Sequence, residues 1–152
     1  MNSPPNDPTW KVHTTQKIAF WVALNLAYRS VHREIEKALK AEGLPPLRWY
    51  DVLWELERAD GGMRPFELER SLIFEQSNLS RMLRRIINDG LVEERAYEGD
   101  GRGKVLLITA KGLEVRRDMW TVYGPQIERH FGDIGDRPDA GELIKILKSL
   151  TS

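Results

Sequence analysis

The chain has 152 residues, 41% hydrophobic and 30% charged, with 23 basic and 23 acidic side chains and no cysteine. This length suits one domain, with or without appended oligomerising helices. The missing cysteine excludes a disulfide framework, a thiolate metal site and a thiol redox switch. No apolar run approaches the ~20 residues of a membrane span, and no basic-then-apolar leader opens the sequence. The expected compartment is therefore the cytoplasm, with no membrane partner. Zero net charge argues against a nonspecific DNA-coating protein but leaves room for a local basic face.

Residues 1–13 are expected to form a flexible N-terminal arm, polar and rich in proline (Pro4, Pro5, Pro8). A long helix is predicted from Thr14 to Glu42, because Ile18, Trp21, Leu24, Tyr28, Val31, Ile35 and Leu39 recur every three or four residues. Gly43, Pro45 and Pro46 end it. Its aromatic stripe suits either an intramolecular core or a surface shared with a second subunit. A second helix, Leu47 to Arg58, turns Tyr50, Leu53, Trp54 and Leu56 inward and stops at Asp60-Gly61-Gly62. Pro65 opens a short third helical segment.

The segment from Phe66 to Gly112 carries most of the information. A fourth helix is predicted over Gln76 to Asp89, with Glu75 as N-cap and Phe74 and Leu79 placed as a hydrophobic staple. Leu79, Met82, Leu83 and Ile86 fall on one face, and Ser77, Ser80, Arg81, Arg84, Arg85 and Asn88 on the other. Gly90 is placed to cap it in the left-handed conformation. Short polar side chains near its start (Gln76, Ser77, Asn78) let the backbone approach base edges. Arginine can bond a guanine in parallel, and asparagine or glutamine an adenine. Arg84 and Arg85 are spaced to meet phosphates. A charged face that only solubilises a surface helix would mix signs, yet no Asp or Glu occurs between Gln76 and Asn88.

Two strand-like runs follow, Leu91 to Arg95 and Lys104 to Thr109, around the tip Gly99-Asp100-Gly101-Arg102-Gly103. Arg102 and Lys104 project from this hairpin, Asp100 can steer the Arg102 guanidinium, and a narrow minor groove attracts an inserted arginine. A phosphate-cradling loop needs a strand, glycines and a helix start in that order, whereas these glycines join two strands. A plain exposed turn is the competing reading. Thr109 is placed to cap a fifth helix carrying Leu113, Met119, Trp120, Tyr123 and Ile127, which Gly124-Pro125 should kink or interrupt. Pro138 opens a last amphipathic helix with Leu143, Ile146, Leu147 and Leu150.

The run LERSLIFEQSNLSRMLRRIINDGLVEERAYEGDGRGKVLLITAKG, Leu68 to Gly112, resembles the core of the MarR family of bacterial transcriptional regulators. The matching pieces are NLSRML, DGLVEER, Asp100-x-Arg102 and LLITAKG, and the flanking helices extend the likeness over roughly Thr14 to Ser152. The resemblance implies a homodimer built from the terminal helices, each subunit presenting a winged helix-turn-helix to half of a palindromic operator. It implies that Ser77, Asn78 and Arg81 read bases, that Arg84 and Arg85 contact backbone, and that Arg102 enters the minor groove. Glu75 departs from the usual serine or threonine cap, and Glu93, Glu94 and Glu98 dilute the local positive field. Members of the family often respond to small aromatic or anionic ligands. Here Trp21, Tyr28, Trp49, Trp54, Met119 and Trp120 could wall such a cavity, with Arg29 or His32 as anion partner, while simple core packing is the plainer reading of these aromatics.

The expected fold is therefore mainly α: a winged helix-turn-helix lobe over 47–109, and long dimerisation helices over 14–46 and 110–152. The expected function is sequence-specific binding of double-stranded DNA by a homodimeric regulator, a repressor released by a small effector. The rival is a winged-helix module docking on an acidic protein partner without binding DNA. No nucleophile–base pair, metal-ligand spacing or cofactor loop is present, so neither an enzyme nor a cofactor is expected.

Overall fold

A computed structural model describes residues 8–75, 77–97, 99 and 103–151, with side chains from Thr15 onward. The chain divides into two compact units, one up to Glu34 and one from Ile35 onward. Helix α1 (Pro8–Ala41) runs through that boundary. It starts six residues ahead of Thr14, so the expected arm is helical from Pro8 to His13. Proline tolerates a first helical turn because its missing N–H would lack a partner there anyway.

The second unit is built around α2 (Leu47–Arg58), which touches α3 (Pro65–Ser71), α5 (Ala110–Gly135) and the second strand. Between α3 and α5 lie α4 (Leu79–Asn88) and an antiparallel hairpin of β1 (Val92–Ala96) and β2 (Lys104–Ile108). The register pairs Val92 with Ile108 and Ala96 with Lys104. Met63, just ahead of α3, adds a bridge to the hairpin, its N–H and C=O bonding Leu106 at 3.0 and 2.8 Å. Helix α6 (Ala140–Lys148) closes the chain.

One core unites these pieces. Val52, Leu53 and Leu56 of α2 meet Leu68 of α3, Met82, Leu83 and Ile86 of α4, and Leu91, Val92 and Leu106 of the wing. Full burial of each such side chain contributes about 1.5–3 kcal/mol. Two glycines set the exit from α4. Gly90 takes φ +77°, and the amides of Gly90 and Leu91 then bond the carbonyls of Ile87 (2.9 Å) and Ile86 (3.1 Å), the double bond of a Schellman cap. Gly112 lets α5 press on the wing, because a Cβ there would collide with the carbonyl oxygen of Leu91. Thr109 caps α5 as expected, its Oγ1 accepting from the amide of Gly112 at 3.0 Å.

Three expectations are corrected. The cap of α4 is Asn78 rather than Glu75, so α4 starts at Leu79 and the proposed staple geometry does not form. Of the kink or interruption expected at Gly124-Pro125, the interruption does not occur: helix α5 continues to Gly135, since a single proline removes one backbone bond and the turns on both sides persist. Trp54, expected inward, stays 37% exposed.

Candidate nucleic-acid interface

Helix α4 sorts its side chains as the periodicity requires. Met82, Leu83 and Ile86 are buried, and Ser80, Arg81, Arg84 and Arg85 are exposed. Ser77 and Asn78, also exposed, sit in the turn before the helix, where backbone and short side chains lead the approach to a partner. Gln76 lies outside the described residues, and so do Arg102, Asp100 and Glu98 at the wing tip. Lys104 is exposed on β2 and paired across the strands with Glu94 at 3.1 Å. On β1, Glu93 and Arg95 form a second ion pair at 2.5 Å. The basic character of this surface therefore comes from α4, while the described part of the wing is charge-balanced.

The sequence reading missed three residues. Arg48, in the first turn of α2, lines one recess with Ser77, Asn78, Arg81 and Arg85, floored by Trp49 and Met82. It stands some thirty positions before α4 in the chain, so helical periodicity could not connect them. Asp51 is 3% exposed, and its Oδ2 accepts from the amides of Ile73 (2.8 Å) and Phe74 (3.0 Å). It thus holds the turn between α3 and α4 from beneath. Burial raises its carboxyl above the ordinary carboxylate value, and the two amide bonds oppose that rise. The signal was present, since an acid interrupts the apolar run Trp49-Tyr50-Asp51-Val52-Leu53. The third is Arg64, whose guanidinium lies 4.7 Å from the Tyr97 ring and 5.1 Å from the Phe66 ring. It joins the start of α3 to the wing by cation–π contacts.

The residues suggested for an effector are divided between the two units. Trp21, Tyr28, Arg29 and His32 belong to the first unit, where Tyr28 and His32 pack with centroids 5.5 Å apart. In the second unit, Trp54 and Trp120 both stack on Tyr50, at 6.4 and 6.0 Å, and Tyr123 meets Tyr50 edge-on at 5.1 Å. Beside them Arg116 pairs with Glu57, Nε to Oε2 at 2.5 Å. Burial raises the phenols of Tyr50 and Tyr123. Met119 is fully buried, and Trp49 sits in the winged-helix core and under the recess of α4 rather than in this aromatic stack. Among the described residues no group of His, Asp or Glu could hold a metal, and no helix is long and apolar enough to cross a membrane.

The chain is similar in sequence and fold to known proteins. A model of the MarR family matches residues 42–103. Transcriptional activatory protein BadR from Rhodopseudomonas palustris is 31% identical over 107 residues, covering 68% of this chain and 58% of BadR; the chain thus matches less than two thirds of that relative. AbsC, a MarR family transcriptional regulator from Streptomyces coelicolor, superposes with a TM-score of 0.79 at 28% identity, covering 99% of this chain and 96% of AbsC. Sco3205, a MarR family regulator from the same organism solved in complex with DNA, superposes with a TM-score of 0.80 at 20% identity, over 90% of this chain and 86% of Sco3205.

Proposed function

Because the chain belongs to the MarR family of winged-helix transcriptional regulators, we propose that it acts as a homodimer binding a palindromic operator in double-stranded DNA. One observation carries the reading: the exposed arginines of α4, at 81, 84 and 85, stand on a helix face without a single acidic side chain. Ser77, Asn78 and Arg81, with Gln76, read base edges in the major groove, and Arg84 and Arg85 hold phosphates. Arg102 enters the minor groove. Lys104 exchanges Glu94 for a phosphate at little cost, since exposed ion pairs contribute only about 0–1 kcal/mol.

Two recognition helices must sit about 34–36 Å apart to enter successive major grooves. The dimer supplies that spacing through the terminal helices, 14–46 and 110–152. Support comes from large apolar side chains left in solvent: Ile18, Phe20, Trp21 and Leu26 on α1, and Leu143, Ile144, Ile146 and Leu147 on α6. Monomeric proteins rarely leave such patches uncovered.

Operator occupancy blocks transcription in this reading, and a small aromatic or anionic ligand that prefers a different helix spacing shifts the population away from the binding form. The exposed edges of Trp54 and Trp120 beside Tyr50 support a place for an aromatic ligand in the second unit. BadR carries an activatory name, so in vitro transcription with and without the protein decides the sense of regulation. In gel-shift titrations on a selected palindrome, Arg81→Ala is expected to cost about 1–3 kcal/mol and relax preference at one base position. Unchanged affinity and preference in both Arg81→Ala and Arg102→Ala would overturn the proposal.

A further inference from the structure

The recess between α2 and α4 has a composition that the fold does not require. Its volume is about 110 Å³, room for a tetrahedral oxyanion. Three guanidinium side chains line it: Arg48 from α2, Arg81 and Arg85 from α4. Ser77 and Asn78 add neutral polar groups. No carboxylate lines it; the carboxylate of Glu36, which accepts from the amide of Leu47 at 2.7 Å, is not among the lining groups. None of the three arginines has an ion-pair partner among the described residues.

Like charges gathered in one recess repel each other, and among the described residues no carboxylate lines the recess to offset that repulsion. A chain selected only for stability would place a carboxylate there. The helix starts act in the same direction. Apart from Arg85, which comes from the last turn of α4, the lining residues fall in or just before the first turns of α2 and α4, and neither first turn holds an acidic side chain. The positive ends of both helix dipoles are thus left for an anion from outside.

We propose that this recess is a seat for one phosphodiester group of the DNA backbone, with Arg48 and Arg85 gripping the phosphate and Arg81 reaching past it towards the bases. The inference rests on the DNA-binding reading and adds to it a contact from α2, outside the helix-turn-helix. Arg48 acts there as a binding residue. By holding a phosphate beside Ser77 and Asn78, it sets how deep α4 sits and in which register. Arginine suits the task, since its planar fork bonds two phosphate oxygens at once while lysine offers only a point charge.

The test uses the full chain and a duplex selected by the wild-type protein from a random pool. Arg48 is exposed, so Arg48→Ala should leave the far-ultraviolet circular dichroism unchanged. Affinity should fall about tenfold, and the slope of log affinity against log salt should drop by about 0.9, the value for one lost phosphate contact. Arg48→Lys should keep the slope and recover only part of the affinity. A set of duplexes, each with one phosphate replaced by a neutral methylphosphonate, should contain one position that weakens the wild type as much as Arg48→Ala does and weakens the variant no further. If Arg48→Ala binds with wild-type affinity and slope, or if no single phosphate shows that shared loss, the recess is not a phosphate seat. If the wild type selects no duplex at all, the DNA-binding reading itself fails.

Discussion

Asp51 shows how one side chain can serve a binding surface that it never touches. Its carboxylate is buried and bonds the two amides at the turn ahead of α4, while its Oδ1 finds no partner among the described residues. Burial outweighs the two hydrogen bonds, so the carboxyl titrates above its ordinary value near 3.8 in the folded chain. Folding then takes up a proton between that ordinary value and the raised one. Stability therefore falls as pH rises through this window and is level above it. Asparagine at this position cannot titrate and still accepts one amide. Urea midpoints measured side by side should move in favour of Asp51→Asn as pH climbs through the window and run parallel above it. A constant difference at every pH would mean that the carboxyl is not displaced.

Among the elements, the wing depends most on side chains from elsewhere. Its described strands carry mutually compensating charges, and beside the Met63–Leu106 bridge its side-chain contact with the start of α3 includes Arg64, whose guanidinium meets the rings of Phe66 and Tyr97. The amide of Tyr97 in turn bonds the carbonyl of Gly103 at 2.7 Å, closing the described end of the hairpin. Cation–π contacts of this partly exposed kind contribute about 0.5–1 kcal/mol each. Arg64→Ala should therefore lose about 1 kcal/mol of stability and speed hydrogen exchange at Tyr97, with little change at the amides of α4. Unaltered exchange at Tyr97 would show that the stack does not hold the wing. Helix α4 offers the contrast: its apolar face, its glycine exit and its basic face all follow from local sequence, so its identity was legible before any coordinates.

At the scale of the molecule, the apolar faces of α1 and α6 matter most. On α6 every residue after Ala140 is exposed, including Leu143, Ile144, Ile146 and Leu147. A helix of nine residues with an exposed apolar side has little stability of its own. A second copy of the chain would bury it. Leu147→Glu places a charge on that face and should shift the protein from dimer to monomer in sedimentation experiments. On the proposed reading operator affinity should fall with it, because one subunit would engage only half a palindrome. A Leu147→Glu protein that remains dimeric would remove α6 from the interface.

Periodicity, glycine exits and sign of charge are local properties, and the sequence alone was enough for them. It located α2, α4 and the hairpin, the buried and exposed faces of α4, the glycine turn at Gly90 and the Thr109 cap. It misplaced the start of α4 because Glu75 and Asn78 are both plausible caps, and packing against the core chooses between them. Only the tertiary structure could bring Arg48 to Arg85, set Asp51 under the turn at Ile73 and Phe74, or stack Arg64 on Tyr97. Those contacts join residues 22 to 37 positions apart. Such distant pairs leave no periodic trace in the chain, because their meeting is decided by how whole helices pack.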